Sequence, residues 1–176
     1  MYEENLKDLE KRYEVHDFPL VIALEPTNYC NLNCIMCSHD KLTRKKGIMN
    51  IRLYKKIIDE IARENPYTRL YLDFCGEALT TKFKLFYMVS YAKKKGLKNV
   101  NINTNGLLID EEMAEMLLDS GIDYISLDCD GFSKEVYEKI RVGGNRDKFY
   151  KNVEYLLKRR EELKQATPPL HYLSLM

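Results

Sequence analysis

Val21-Ile22-Ala23-Leu24 leads through a polar connection into Cys30-Asn31-Leu32-Asn33-Cys34-Ile35-Met36-Cys37. The apolar run has the length of a buried strand, and the loop after it holds three of the chain's five cysteines. Thiols this close in sequence do not staple distant segments as a secreted disulfide framework does. They read as metal ligands in a reducing compartment. Thiolates are soft ligands that favour iron–sulfur clusters or zinc. A cubane cluster has four iron corners and this loop offers three thiolates, so one iron is left for a substrate or cofactor.

Outward from that loop, strand-length apolar runs alternate with helical patterns. Asn50 caps a helix carrying Leu53, Tyr54, Ile57, Ile58 and Ile61, which Asn65-Pro66 stops. A second strand spans 70–74. A helix over 82–95, with Phe86, Val89 and Ala92 inward, ends in three lysines and Gly96. Strand three covers 100–103, and Asp110 caps a helix with Met113, Ala114, Leu117 and Leu118 that Gly121 closes. Strand four covers 124–127, a short helix starts at Ser133, and Asp147 opens a long amphipathic helix that ends before Pro168-Pro169 and a fifth strand at 171–176. A short charged helix over 3–12 precedes the whole. Such alternation implies α/β architecture, with parallel strands, right-handed crossovers and helices on consistent faces of one sheet or partial barrel. Chemistry in such folds collects at the carboxyl ends of strands. The cysteine loop, Cys75-Gly76-Glu77, Thr104-Asn105-Gly106 and Ser126 with Asp128 all fall there.

Composition fits one compact domain. Of 176 residues, 45% are hydrophobic and 31% charged, Gly (8) and Pro (5) are scarce, and Trp is absent, which excludes collagen-like and low-complexity chains. Lys+Arg (28) and Asp+Glu (27) nearly cancel, so no long-range field gathers nucleic acid or anionic membrane. The 13 tyrosines form no stacking platform on a basic groove. No apolar run reaches the roughly 20 residues that span a bilayer, and the acidic N-terminus lacks a signal-peptide pattern. The expectation is a cytoplasmic protein with neither a nucleic-acid nor a membrane partner.

The spacing Cys-x3-Cys-x2-Cys after a first strand resembles the signature of the radical S-adenosylmethionine (radical SAM) superfamily. Cys75-Gly76-Glu77-Ala78 is similar to the family's Gly-Gly-Glu-Pro element, and Asn103-Thr104-Asn105-Gly106 to its third-strand end. Ser126-Leu127-Asp128 and Arg141-Val142-Gly143-Gly144 resemble its fourth-strand segment. The similarity is nearest to members with a SPASM or twitch extension, many of which modify peptides or proteins. It implies a parallel-stranded partial (βα) barrel, with an N-terminal helix and lead-in over 1–19 and the core domain over 20–176. The family's core commonly has six strands, so the resemblance also implies that the sixth strand and any C-terminal extension are absent.

What the resemblance implies chemically is an oxidoreductase-type radical enzyme. Cys30, Cys34 and Cys37 hold a 4Fe-4S cluster whose open iron is chelated by the methionine end of S-adenosylmethionine (SAM). An electron donor such as flavodoxin or ferredoxin reduces it, and a radical abstracts hydrogen from a peptide, a protein or another small polar substrate. Gly76 and Glu77 match positions that meet the SAM ammonium, and Ser126 and Arg141 positions that contact its carboxylate or ribose. Asn105 is a further polar candidate, although Asn-Gly is also a common turn. Met36 stands where the family usually carries an aromatic residue near the adenine. Cys129 lies just past strand four, where the resemblance allows a thiol to donate hydrogen to a substrate radical as in similar epimerases, but a small buried residue is the favoured reading.

Two other readings stay open on the residues alone. Cys30, Cys34, Cys37 and His39 have the spacing of a Cys3His zinc site in a non-catalytic interaction domain. Cys34-x-x-Cys37 has the spacing of a redox dithiol, though such a pair normally starts a helix and needs no third cysteine. Cys75 reads as structural, and the basic run over 41–46 as a solvated loop on the same rim.

Overall fold

The computed structural model describes residues 17–164, 168 and 170–173. Five strands, β1 (Val21–Ala23), β2 (Arg69–Tyr71), β3 (Asn99–Thr104), β4 (Tyr124–Asp128) and β5 (Leu170–Leu173), form one sheet in sequence order. Every pair is parallel. Between them run α1 (Ile51–Glu64), α2 (Phe83–Lys94), α3 (Glu111–Asp119), α4 (Lys134–Ile140) and α5 (Arg146–Glu162). Parallel neighbours joined in sequence order by right-handed crossovers place all helices on one side of the sheet, which is the winding of a barrel segment. The expected α/β partial barrel is present. The helix expected over 3–12 and residues 174–176 of the fifth strand lie outside the described residues. No helix among the described residues is long and apolar enough to cross a membrane.

Side-chain parity explains the two faces. Leu70, Leu72, Val100, Ile102, Ile125 and Leu127 are fully buried in the core under the helices. Burial of each such side chain contributes about 1.5–3 kcal/mol. The opposite face is polar: Tyr71, Asn101 and Tyr124 stand level across three strands, and Asn103 pairs with Ser126 one pleat nearer the rim. A sheet that is apolar towards its helices and polar on its other face leaves a hydrated interior.

Local chemistry fixes the helix starts. Asn50 Oδ1 accepts from the amides of Arg52 and Leu53, Asp110 Oδ1 from Met113, and Ser133 Oγ from Val136. The last long helix is capped by Asn145, which accepts from Lys148 at 2.8 Å, so Asp147 sits in its first turn and does not open it. Leu53, expected inward, is exposed, and Leu85 and Met88 fill the α2 interface more completely than Phe86. Helical spacing gives the stripe, but its centre depends on how the helix is rolled against the sheet.

Candidate active site

The cysteine loop is built on a clasp just before it. Asn28, nearly fully buried, accepts from the Gly47 amide at 2.6 Å and donates to the Lys45 carbonyl at 3.1 Å. Its own carbonyl lies 2.9 Å from His39 Nε2, so one residue ties the entry of the loop to its exit and to the returning chain. Thr27 pairs with Ile48 in an antiparallel bridge alongside. The far side of the loop is held by the segment after α4: the Asn33 amide donates to Val142 O at 2.9 Å and the Ile35 amide to Ile140 O at 3.0 Å. Cys34 is therefore clamped directly across Arg141. Leu32 plugs into the core beside Gly143, whose φ of +87° suits glycine.

Cys30, Cys34 and Cys37 line one cavity of about 440 Å³ at the carboxyl ends of the strands, together with Met36, Gly76, Glu77, Asn105 and Arg141. Burial pushes the Cys30 and Cys34 thiols up, with Arg141 pulling Cys34 back down. Neighbouring cysteines add to the upward push on both thiols, so a cationic centre beside them favours their thiolate forms. Among the described residues no three Cys, His, Asp or Glu side chains are gathered tightly enough for a single metal ion. A lone zinc needs every sulfur about 2.3 Å from one point, whereas a cubane spreads its thiolates over separate irons. His39 faces Asn28 and Lys46 and is not among the cavity-lining residues, so the Cys3His set is not assembled. The donor chemistry of three thiols lining one cavity fits a cluster.

Gly76 is required by space. A Cβ there would stand 2.0 Å from Thr27 O, and the Glu77 amide donates to Tyr29 O at 2.9 Å. The second motif's backbone thus rests against the lead-in to the cysteine loop. Glu77, 4% exposed, accepts from Leu79 N and Thr104 Oγ1 on Oε1 and from Asn105 N on Oε2. A carboxylate has about four acceptor sites, so these three bonds leave one on Oε2. Burial pushes this carboxyl up to about 7 despite the three bonds.

A carboxyl that binds its proton more tightly folded than unfolded costs stability as pH rises from about 4.5 to about 7. For Glu77 alone the loss is about 3 kcal/mol. Chemical denaturation of the ligand-free protein is expected to give a higher midpoint at pH 5 than at pH 8, with the gap narrowed in Glu77→Gln. Equal midpoints in the wild type contradict this.

The other expected residues divide by position. Arg141 reaches the cavity, but its Nε and Nη2 pair with buried Asp130, and Nη2 lies 3.6 Å from Asp128. Asn105 lines the cavity while acting as a turn and brace: its Oδ1 accepts from Leu107 N at 3.1 Å, and its Nδ2 donates to Asn31 at 2.9 Å. Ser126 does not line the cavity. It lies one pleat deeper than Asp128 and is fully buried, its Oγ without a partner among the described residues. Cys129 does not line it either, its Sγ lying 3.6 Å from Gly131 O and 3.7 Å from Tyr150 Oη. Cys75 does, with its amide donating to Glu25, which Arg44 grips through both carboxylate oxygens.

Sequence reasoning missed Asp73 and Asp130 in this site. Burial, reinforced by the charge of Asp128, pushes Asp73 up to about 6 against a bond from the Asn103 amide. Asp128 is likewise pushed up, chiefly by burial. Four carboxyls, Asp73, Glu77, Asp128 and Asp130, thus face one cationic side chain, Arg141, among the lining residues. Such a cavity favours the cationic parts of a ligand. The only sequence signal for Asp73 was an acid inside an otherwise apolar run of strand length.

Comparison with known proteins gives relatives that are longer than this chain. It is 33% identical over 122 residues to Fe-coproporphyrin III synthase of Methanosarcina barkeri, covering 69% of this chain and 29% of that protein. It is 30% identical over 129 residues to mycofactocin maturase MftC of Mycobacterium ulcerans, covering 73% and 34%. The chain spans about a third of the length of these relatives. Among solved structures, anSMEcpe with bound SAM and the Cp18Cys peptide superposes with a TM-score of 0.67 at 23% identity, over 89% of this chain and 42% of that one. The family model of the radical SAM superfamily matches residues 24–168.

Proposed function

The chain belongs to the radical SAM superfamily, whose members use a 4Fe-4S cluster and SAM, and from that premise we propose that Cys30, Cys34 and Cys37 hold the cluster and that SAM binds beside it in the same cavity. The observation that supports this reading is that one cavity is lined by all three loop cysteines and by Gly76, Glu77 and Arg141. When bound and reduced, the pair supplies a 5′-deoxyadenosyl radical that takes hydrogen from a carbon of the substrate. The chain's own part is placement. The last acceptor site on Glu77 Oε2 and the backbone beside Gly76 receive the SAM ammonium, while Arg141, held by Asp130, presents its remaining guanidinium edge to the carboxylate. Met36, half-exposed on the cavity wall, gives an apolar surface for the adenine.

The substrate in this reading is a peptide or another polar molecule. The polar sheet face of Asp73, Asn103 and Asp128, which lines the cavity, offers it hydrogen-bond partners. A peptide-bound neighbour and a maturase among the relatives agree with that choice and with the SPASM-type resemblance. Electrons come from a small redox protein.

Anaerobic incubation of the iron-loaded protein with SAM and dithionite tests the reading. The expected product is 5′-deoxyadenosine, absent when Cys34 is replaced by Ala. Product formed equally by that variant refutes it. Glu77→Gln is expected to weaken SAM binding about tenfold to a hundredfold, the size of one charged hydrogen bond. Because the Glu77 carboxyl must be ionised to meet an ammonium, SAM affinity is expected to rise from pH 5.5 to pH 7, below the range where an α-amino group loses its proton, and to rise less in the variant, as read by equilibrium binding.

A further inference from the structure

Asp73 is the lining carboxyl that the placement of SAM leaves unused. Arg141, the one cation among the lining residues, pairs with Asp130 and lies 3.6 Å from Asp128, and Glu77 uses three acceptor sites within the fold. Asp73 has a single hydrogen bond among the described residues, from the Asn103 amide at 2.8 Å, and no cationic side chain among them pairs with it. A carboxylate has about four acceptor sites, so about three are left on a group that lines the cavity.

The side chains beside it are unsatisfied too. Tyr71 stands opposite Asn101, so Asp73 falls opposite Asn103, and Asn103 stands opposite Ser126. The three make one polar row across the sheet, on the face away from the core. The Asn103 side chain has no hydrogen bond among the described residues, and neither has the Ser126 hydroxyl, although that residue is only 1% exposed. Polar groups kept unpaired under cover cost stability that apolar residues would restore, which points to a ligand that completes them.

That ligand brings positive charge and hydrogen-bond donors. Among the described residues no three His, Cys, Asp or Glu side chains are gathered for a metal ion, so the cation is organic. SAM supplies one ammonium, which Glu77 and the backbone beside Gly76 receive, and a sulfonium, which has no N–H to donate. The other molecule in the cavity is the substrate. Phe74, next to Asp73 in the chain, lines the same cavity while 72% exposed, and it offers an apolar surface to the carbon stem of a long cationic side chain.

We propose that the substrate carries a protonated amine or a guanidinium, and that Asp73, with Asn103 at its side, binds that cation. This rests on the radical SAM reading of the cavity and narrows its substrate class from polar to cationic. For a peptide, the group held is a lysine or arginine side chain.

The test titrates the iron-loaded, SAM-bound, unreduced protein with N-acetyl-lysine methylamide, N-acetyl-arginine methylamide and the neutral N-acetyl-norleucine methylamide, followed by ligand-observed nuclear magnetic resonance. At least one cationic amide is expected to bind about tenfold or more tightly than the norleucine amide, the size of one charged hydrogen bond. Asp73→Asn is expected to remove that preference and to leave SAM affinity at the wild-type value. The metal-free Asp73→Asn protein is expected to unfold at the same denaturant concentration as the wild type or higher, because its side-chain carbonyl still accepts from the Asn103 amide and an unpaired charge is gone. No cationic preference in the wild type, or one that survives Asp73→Asn, overturns the proposal. So does a loss of SAM affinity as large as the loss of the amide, or a metal-free variant that unfolds earlier. A wild type that fails to load iron overturns the cluster reading instead, and the same titration of the metal-free chain then decides the cation site.

Discussion

Gly76→Ala is expected to destabilise the protein by about 3 kcal/mol or more and to abolish its retention of iron. The added Cβ meets Thr27 O at 2.0 Å, Thr27 C at 2.8 Å and Asn28 Cα at 2.9 Å, all backbone atoms with no flexible side chain to move aside. Relief requires the segment after β2 to separate from the lead-in to the cysteine loop. That movement breaks the bond from the Glu77 amide to Tyr29 O and strains the Asn28 clasp. Stability and cluster loading are therefore expected to fall together, as read by denaturant unfolding and iron analysis. A Gly76→Ala protein with the wild-type midpoint would falsify the close packing described for these two loops.

The second large effect separates fold from chemistry. Cys34→Ala is expected to reduce bound iron to below about a tenth of the wild-type content, because three thiolates are the fewest that hold a cubane by its corners. The metal-free fold should change little. The loop around Cys34 is held by backbone bonds from Asn33 and Ile35, and these do not involve the thiol. Cys75→Ala provides the contrast. Its thiol lines the same cavity but lies outside the loop, and the iron content is expected to stay near that of the wild type. Equal iron loss in both variants contradicts the assignment of the ligands to the loop.

Much of this was legible in the sequence because the signals are local. The cysteine spacing, the strand-length runs and the capping residues Asn50, Asp110 and Ser133 each act over a few residues. The rim itself followed from the rule that chemistry gathers at the carboxyl ends of parallel strands. What sequence reading did not resolve was depth and partnership. Ser126 and Asp128 share a sheet face, and the pleat puts the second of them in the cavity and the first beneath it. Asp130 joins the cavity wall paired with Arg141, eleven positions on, a partnership made by the turn after α4. Asn28 gains its importance from bonds to residues 17 to 19 positions later. No local pattern announces such pairings.

Asn105 shows how the plainer and sharper readings coexist. Its side chain makes the turn that Asn-Gly usually makes, and the same amide joins Asn31 inside the cysteine loop. Glu77 is similar. Most of its hydrogen-bonding capacity knits the second motif to the end of β3, which leaves a single acceptor site on a carboxylate that lines the cavity. The site is therefore stiff before any ligand arrives, which lowers the ordering cost of binding.

The most direct measurement is electron paramagnetic resonance of the anaerobically iron-loaded, reduced protein, recorded before and after SAM is added, with iron and sulfide quantified on the same sample. About four irons and four sulfides per chain are expected, with a reduced-cluster signal whose shape changes on adding SAM, as one open iron beside Glu77 requires. A colourless protein carrying zinc, or a cluster whose signal is indifferent to SAM, contradicts that assignment.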